Sequence, residues 1–107
     1  MKAGLNSGED VTDKGDQYEA DVVVTNPQGI HLRNAAVMVR TAAKYPDAEI
    51  LIAKDGHEVN GKSIMGVLTL VAEKGATLHL RTRGEQGKDL LDELVAMFAD
   101  GFDEAYT

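Results

Sequence analysis

Between Glu19 and Thr25 the chain alternates, with Ala20, Val22 and Val24 on one face of a strand rich in β-branched residues. The turn formers Asn26-Pro27-Gln28-Gly29 interrupt it. From about Arg33 to Lys44 the period changes. Ala35, Met38, Val39 and Ala42 recur at helical spacing, Lys44 complements the C-terminal end of the dipole, and Tyr45-Pro46-Asp47 stops the run. Glu49–Ala53 reads as a strand, Asp55-Gly56 as a type I′ turn, and His57–Asn60 as the short return. Ser63 is placed to cap a helix running to about Ala72, with Gly75 just beyond its end. Ala76–Arg83 alternates again with Leu78 and Leu80 inward. A last helix from about Gln86 to Phe102 carries an apolar stripe of Leu91, Leu94, Val95, Phe98 and Phe102.

The order is strand, helix, strand, strand, helix, strand, helix. Short strands with few crossovers suit a four-stranded, mostly antiparallel sheet with three helices on one face, an α+β architecture. Residues 1–17 hold three glycines and only Leu5 and Val11 as sizeable apolar groups, so they are expected to form a flexible tail ahead of a domain spanning 18–107.

A length of 107 residues supports one domain. There are no cysteines, which removes disulfides, thiolate metal sites and a cysteine nucleophile. The net charge of −7 argues against a general nucleic-acid binder. No stretch approaches the roughly 18–20 apolar residues of a membrane span. The N-terminus lacks the apolar core of a secretory signal, so the cytoplasm is the default address.

Of the three histidines, His57 and His79 read as solvated residues, and no metal-ligand spacing appears. His31 differs. It precedes the first helix within a segment, Val22 to Pro46, that contains Arg33, Arg40 and Lys44 and no acid. Unpaired backbone N–H groups and the positive end of the dipole there favour an anion added to the ring, and Arg33 is placed to supply a charge-assisted bond. A plain capping or surface role for His31 accounts for its position as well. Ser63 is explained by capping alone. The apolar residues after it (Ile64, Met65, Val67, Leu68, Leu70 and Val71) are too many for one face of a short helix. Ile64 and Met65 are expected to stay exposed, as a partner surface would require.

Gly29-Ile30-His31-Leu32-Arg33-Asn34-Ala35-Ala36 resembles the Gly-x-His-x-Arg-Pro-Ala signature of HPr, the histidine-containing phosphocarrier family of the bacterial phosphoenolpyruvate:sugar phosphotransferase system. Lys62-Ser63-Ile64-Met65-Gly66 resembles that family's serine-phosphorylation region, and the separation of the two motifs fits over residues 18–103. The resemblance implies an open-faced β-sandwich of βαββαβα order. It implies a carrier rather than an enzyme with its own substrate pocket, without cofactor or metal, for which a monomer suffices. His31 matches the phosphoryl acceptor, receiving the group on Nδ1 from phospho-enzyme I and passing it to an enzyme IIA domain. Arg33 matches the residue that contacts the phosphoryl group. Ser63 matches the site of HPr kinase/phosphorylase, and Ile64 and Met65, with Arg40 and Asn34, are the expected partner-binding residues. A regulatory protein switched at Ser63 and acting mainly by binding is the alternative; a small-ligand module unrelated to phosphate is a third. Asn34 stands where the family has proline, a ring that stiffens a helix entry by about 0.4–1 kcal/mol.

Overall fold

The computed structural model describes residues 12–14 and 16–103. Among these residues five strands form one antiparallel sheet: β1 (Thr12–Lys14), β2 (Gln17–Val23), β3 (Glu49–Lys54), β4 (His57–Asn60) and β5 (Thr77–Arg83), in the spatial order β1-β2-β5-β3-β4. Helices α1 (Leu32–Ala43), α2 (Ile64–Leu68) and α3 (Gly87–Ala99) complete the βαββαβα unit, and a 3₁₀ turn follows at Gly101–Asp103. No helix among the described residues is long and apolar enough to cross a membrane.

The expected open-faced α+β sandwich is present, with one strand more than expected. Thr12–Lys14 pairs with Gln17–Glu19 at the sheet edge, inside the segment read as a tail. These residues carry no apolar alternation, so only backbone bonding to β2 defines the strand, and periodicity is blind to that. The part of the expected tail before Thr12 lies outside the described residues.

The inward rows follow the sequence alternation. Ala20, Val22 and Val24, then Ile50 and Ile52, then Leu78 and Leu80 are buried against Ala35, Met38 and Ala42 of α1 and Leu90, Leu91, Leu94 and Phe98 of α3 in one core. The β3–β4 turn has positive φ at both Asp55 (51°) and Gly56 (85°), as a type I′ hairpin requires. Two helices are shorter than the apolar run suggests. Helix α2 stops at Leu68 instead of reaching Ala72, with Thr69 as C-cap and Val71 turned to a positive φ of 49°. Gly75 therefore closes a separate turn, its N–H donating to the Val24 carbonyl. Helix α3 ends at Ala99, and Phe102 reaches Phe98 edge-on from the 3₁₀ turn, with ring centroids 4.9 Å apart.

The outward sheet face is more organised than a solvated row. Register places His79 opposite Asp21 and beside Glu19 on β2. Its Nδ1 lies 2.7 Å from Asp21 Oδ1 and its Nε2 2.8 Å from Glu19 Oε1. Next along β5, Arg81 pairs with Glu58 of β4 at 3.0 Å. Both ring nitrogens of His79 thus donate to carboxylates, the arrangement of an imidazolium. Burial of the ring works against that charge, but the bonds to Asp21 and Glu19 outweigh it and hold the pKa above the ordinary 6.5.

A raised folded-state pKa means that the staple's contribution is complete below the unfolded value and is lost as pH rises through the folded one. Urea denaturation of the wild type and of His79→Gln should therefore diverge most at mildly acidic pH and converge as pH rises above neutrality. A stability difference independent of pH would show that the ring is not charged in the fold.

Candidate functional site

The loop between β2 and α1 is held from three directions. From the β5 side, the Val24 N–H donates to the Ala76 carbonyl at 2.9 Å and the Gly75 N–H to the Val24 carbonyl at 2.8 Å. From α3, the Phe98 carbonyl accepts the Thr25 hydroxyl at 3.2 Å. From the segment after α2, the Ala72 carbonyl accepts the Ile30 N–H at 2.8 Å. Gly29 makes the last contact feasible. Its φ is +70°, and a Cβ there would lie 2.5 Å from the Ala72 oxygen, so the sequence needs glycine on both counts.

These contacts deliver His31 to the N-cap of α1 in extended geometry (φ −137°, ψ 179°). The ring is half-buried, and the first turn of α1 carries no acid. Asn34, expected on the partner surface, is 1% exposed and works inside the loop. Its Oδ1 accepts the His31 N–H at 2.8 Å, while its Nδ2 donates to the Gly29 carbonyl at 2.9 Å. The His31 ring faces the Asn34 backbone N–H in return, completing a capping box. Asn26 Nδ2 donates to the same Gly29 carbonyl at 2.6 Å. Asn34 thus organises the helix entry by hydrogen bonds where proline would do so by ring geometry. A short amide at the third helical position was the signal for this, and only the fold shows its burial.

The other expected residues fall around this loop. Arg33 and Arg40 project from α1 and are exposed, and neither makes an ion pair among the described residues. Helix α2 packs beside α1. Ser63 caps α2 through Oγ, which accepts the Gly66 N–H at 3.0 Å. Met65 is 72% exposed, as expected, whereas Ile64 is half-buried. Three exposed apolar residues went unremarked as surface groups, Leu32 at 63%, Val71 at 68% and, on β2, Val23 at 49%. Leu32 could have been flagged as an apolar residue directly after the cap. His57, by contrast, is remote in role: it is exposed and its Nε2 lies 3.3 Å from the Thr69 hydroxyl. The hollow lined by Pro46, Asp47, Gly84 and Glu85 sits at the far end of the strands from His31. Among the described residues no cluster of His, Asp and Glu is arranged to hold a metal ion.

The acids of α3 are drawn partly into the fold. Glu93 accepts Lys44 Nζ at 2.7 Å and the Tyr45 hydroxyl at 2.6 Å, tying the end of α1 to α3. Those two bonds, Lys44 first, hold its carboxyl below the ordinary carboxylate range.

An open antiparallel sheet backed by helices, with a histidine capping an acid-free helix start, is the architecture of a small phosphoryl-carrying domain. The sequence profile of the PTS HPr component phosphorylation site matches residues 18–100, and the chain belongs to the HPr family of phosphotransferase-system phosphocarriers. It is 40% identical over 85 residues to the phosphocarrier protein HPr of Pseudomonas aeruginosa, covering 78% of this chain and 93% of that one. It is 38% identical over 78 residues to the HPr-like protein Crh of Halalkalibacterium halodurans, covering 73% and 92%. The crystal structure of HPr from Thermoanaerobacter tengcongensis superposes with a TM-score of 0.76 at 34% identity, covering 80% of this chain and 96% of that one.

Replacing Asn34 by alanine removes a cap acceptor and leaves buried loop groups short of partners. Asn34→Ala should lower unfolding stability by about 1–2 kcal/mol in urea titrations. An unchanged midpoint would mean that the amide does not hold the loop.

Proposed function

We propose that the protein carries a phosphoryl group on His31, taking it from phosphorylated enzyme I and handing it to an enzyme IIA domain. The observation that supports this most is the placement of His31, a half-exposed imidazole at the start of a 12-residue helix with no acid in its first turn. An unprotonated ring nitrogen attacks phosphorus, a new N–P bond forms, and the bond from phosphorus to the donor breaks with its electron pair staying on the donor. Nδ1, the nitrogen nearer the backbone, is the acceptor. The Asn34 N–H that now faces the ring then turns to the phosphoryl oxygens, together with the amides of Leu32 and Arg33 at the helix start. Arg33, next but one in sequence, supplies a charge-assisted bond. Transfer onward reverses these steps. The protein works as a cytoplasmic monomer. Arg40, Ile64 and Met65 belong to the surface that meets its partners, with Leu32 added to them.

With enzyme I and phosphoenolpyruvate the protein should gain one acid-labile phosphate, which His31→Ala abolishes and Arg33→Ala slows by about tenfold or more, the loss of a charge-assisted contact. Label that survives in His31→Ala rejects the assignment.

Regulation at Ser63 is a second reading, supported by its position two residues before the exposed Met65. A kinase such as HPr kinase/phosphorylase would add about −1.5 to −2 charge there. That charge beside an apolar docking surface repels a partner whose rim is acidic. Ser63→Asp should weaken binding of enzyme I in titration calorimetry while leaving the circular dichroism unchanged; equal affinity argues against the switch.

A further inference from the structure

His31 is tied to the first turn of α1 at both ends of its backbone. Its N–H donates to Asn34 Oδ1 at 2.8 Å, and its carbonyl accepts the Ala35 N–H at 2.9 Å. With the backbone pinned, only the side-chain torsions remain to orient the ring. The Asn34 N–H faces the ring as the return half of the capping box. Nδ1 is the ring atom that meets it, since it stands as many bonds from the backbone as the Oδ1 of an Asn or Asp cap. A donor there requires a lone pair on that nitrogen, so the proton of the neutral ring sits on Nε2. The opposite tautomer would set one N–H against another, and the first turn holds no carboxylate to accept it. Asn34 is itself fixed. It is 1% exposed, and its Nδ2 donates to the Gly29 carbonyl at 2.9 Å.

We propose that Asn34 is a positioning residue for phosphoryl acceptance, its backbone N–H holding the His31 ring with the Nδ1 lone pair turned into the start of α1. This rests on the phosphocarrier reading of His31 and adds how the acceptor atom is aimed. The same N–H serves twice. Before transfer it orients the lone pair. As the N–P bond forms on Nδ1, and the donor keeps the electron pair of the bond that breaks, the N–H exchanges the ring nitrogen for a phosphoryl oxygen. No proton has to leave Nδ1, because it carries none, and Nε2 keeps its own. The exchange runs from a bond between neutral groups to a charge-assisted one, the stronger kind. A side-chain donor could swing aside, whereas a backbone N–H in a helical turn is fixed by the chain itself. Proline at position 34 would have no N–H to give.

Asn34→Pro deletes the N–H at a position in the first helical turn, where proline is tolerated, while Asn34→Ala keeps the N–H and removes only the side-chain bonds. Ring nitrogen chemical shifts in mildly alkaline solution, where an imidazole is neutral, read the tautomer. Wild type and Asn34→Ala should both carry the proton on Nε2. Asn34→Pro should raise the Nδ1–H share about fivefold, the worth of one ordinary hydrogen bond. In steady-state phosphorylation by enzyme I with phosphoenolpyruvate, kcat of Asn34→Pro should fall about 3- to 10-fold below that of Asn34→Ala at nearly equal KM, because aim is lost and docking is kept. The wild type is a test by itself, independent of how the variants fold: a proton on Nδ1 of its neutral ring overturns the proposal. An unchanged tautomer in Asn34→Pro overturns it, as does the same redistribution in Asn34→Ala, which would assign the effect to the side chain. A redistributed tautomer with unchanged kcat, or a change in KM alone, overturns it as well. Wild-type protein that shows the Nε2–H ring yet takes no phosphate refutes the phosphocarrier reading instead, and this separates the two failures.

Discussion

The hydrogen bond from the Ile30 N–H to the Ala72 carbonyl, 2.8 Å long, joins the segment before α1 to the segment after α2. Neither segment is regular structure, so each would otherwise carry unpaired backbone groups. Their closeness demands Gly29, where any Cβ would meet the Ala72 oxygen, and it depends on the left-handed turn at Val71 that ends α2 early. With the junction made, the Gly29 carbonyl points at the amides of Asn26 and Asn34, and Asn34 in turn fixes the His31 backbone. The geometry of the histidine is therefore a consequence of backbone packing between two loops. Neither helix could position it alone.

Charge is arranged to suit that site. Gly84 to Thr107 carries a net −6, with one lysine against seven acids, while Val22 to Pro46 has no acid at all. The acids nearest α1 are not idle, since Glu93 accepts both Lys44 and Tyr45 and so pins the far end of the helix. Carboxylates on the sheet's outer face are likewise engaged, by His79 and Arg81. The N-terminal end of α1 keeps the exposed Arg33 and carries no acid in its first turn, an arrangement that suits an anion.

Much of this was legible beforehand. Alternation located the strands, helical spacing located α1 and α3, and Asp55-Gly56 specified its turn, because each signal lies within a few residues of the element it defines. Ser63 as a cap and Met65 as an exposed apolar residue followed from the same local logic. Asn34 was misplaced on the surface because burial depends on what packs over a residue, and its cover comes from the loop folded back at Gly29. His79 read as solvated because its two partners lie some sixty positions earlier, across a strand pairing that no local window contains. Helix α2 was drawn too long because its apolar run continues past Leu68, while the core requires the chain to turn at Val71.

By itself the sequence determined the order of elements, the faces they bury, the His31 motif and the acid-free segment around it. These are properties of neighbouring residues, and physics acts on them before any distant contact forms. Tertiary structure alone decided that Asn34 braces His31, that His79 staples β2 to β5, that Thr12–Lys14 joins the sheet, and that Val71 is strained and exposed. Each of these depends on which backbone groups remain unpaired once the core has closed, and that is settled only by the packing of segments far apart in the chain.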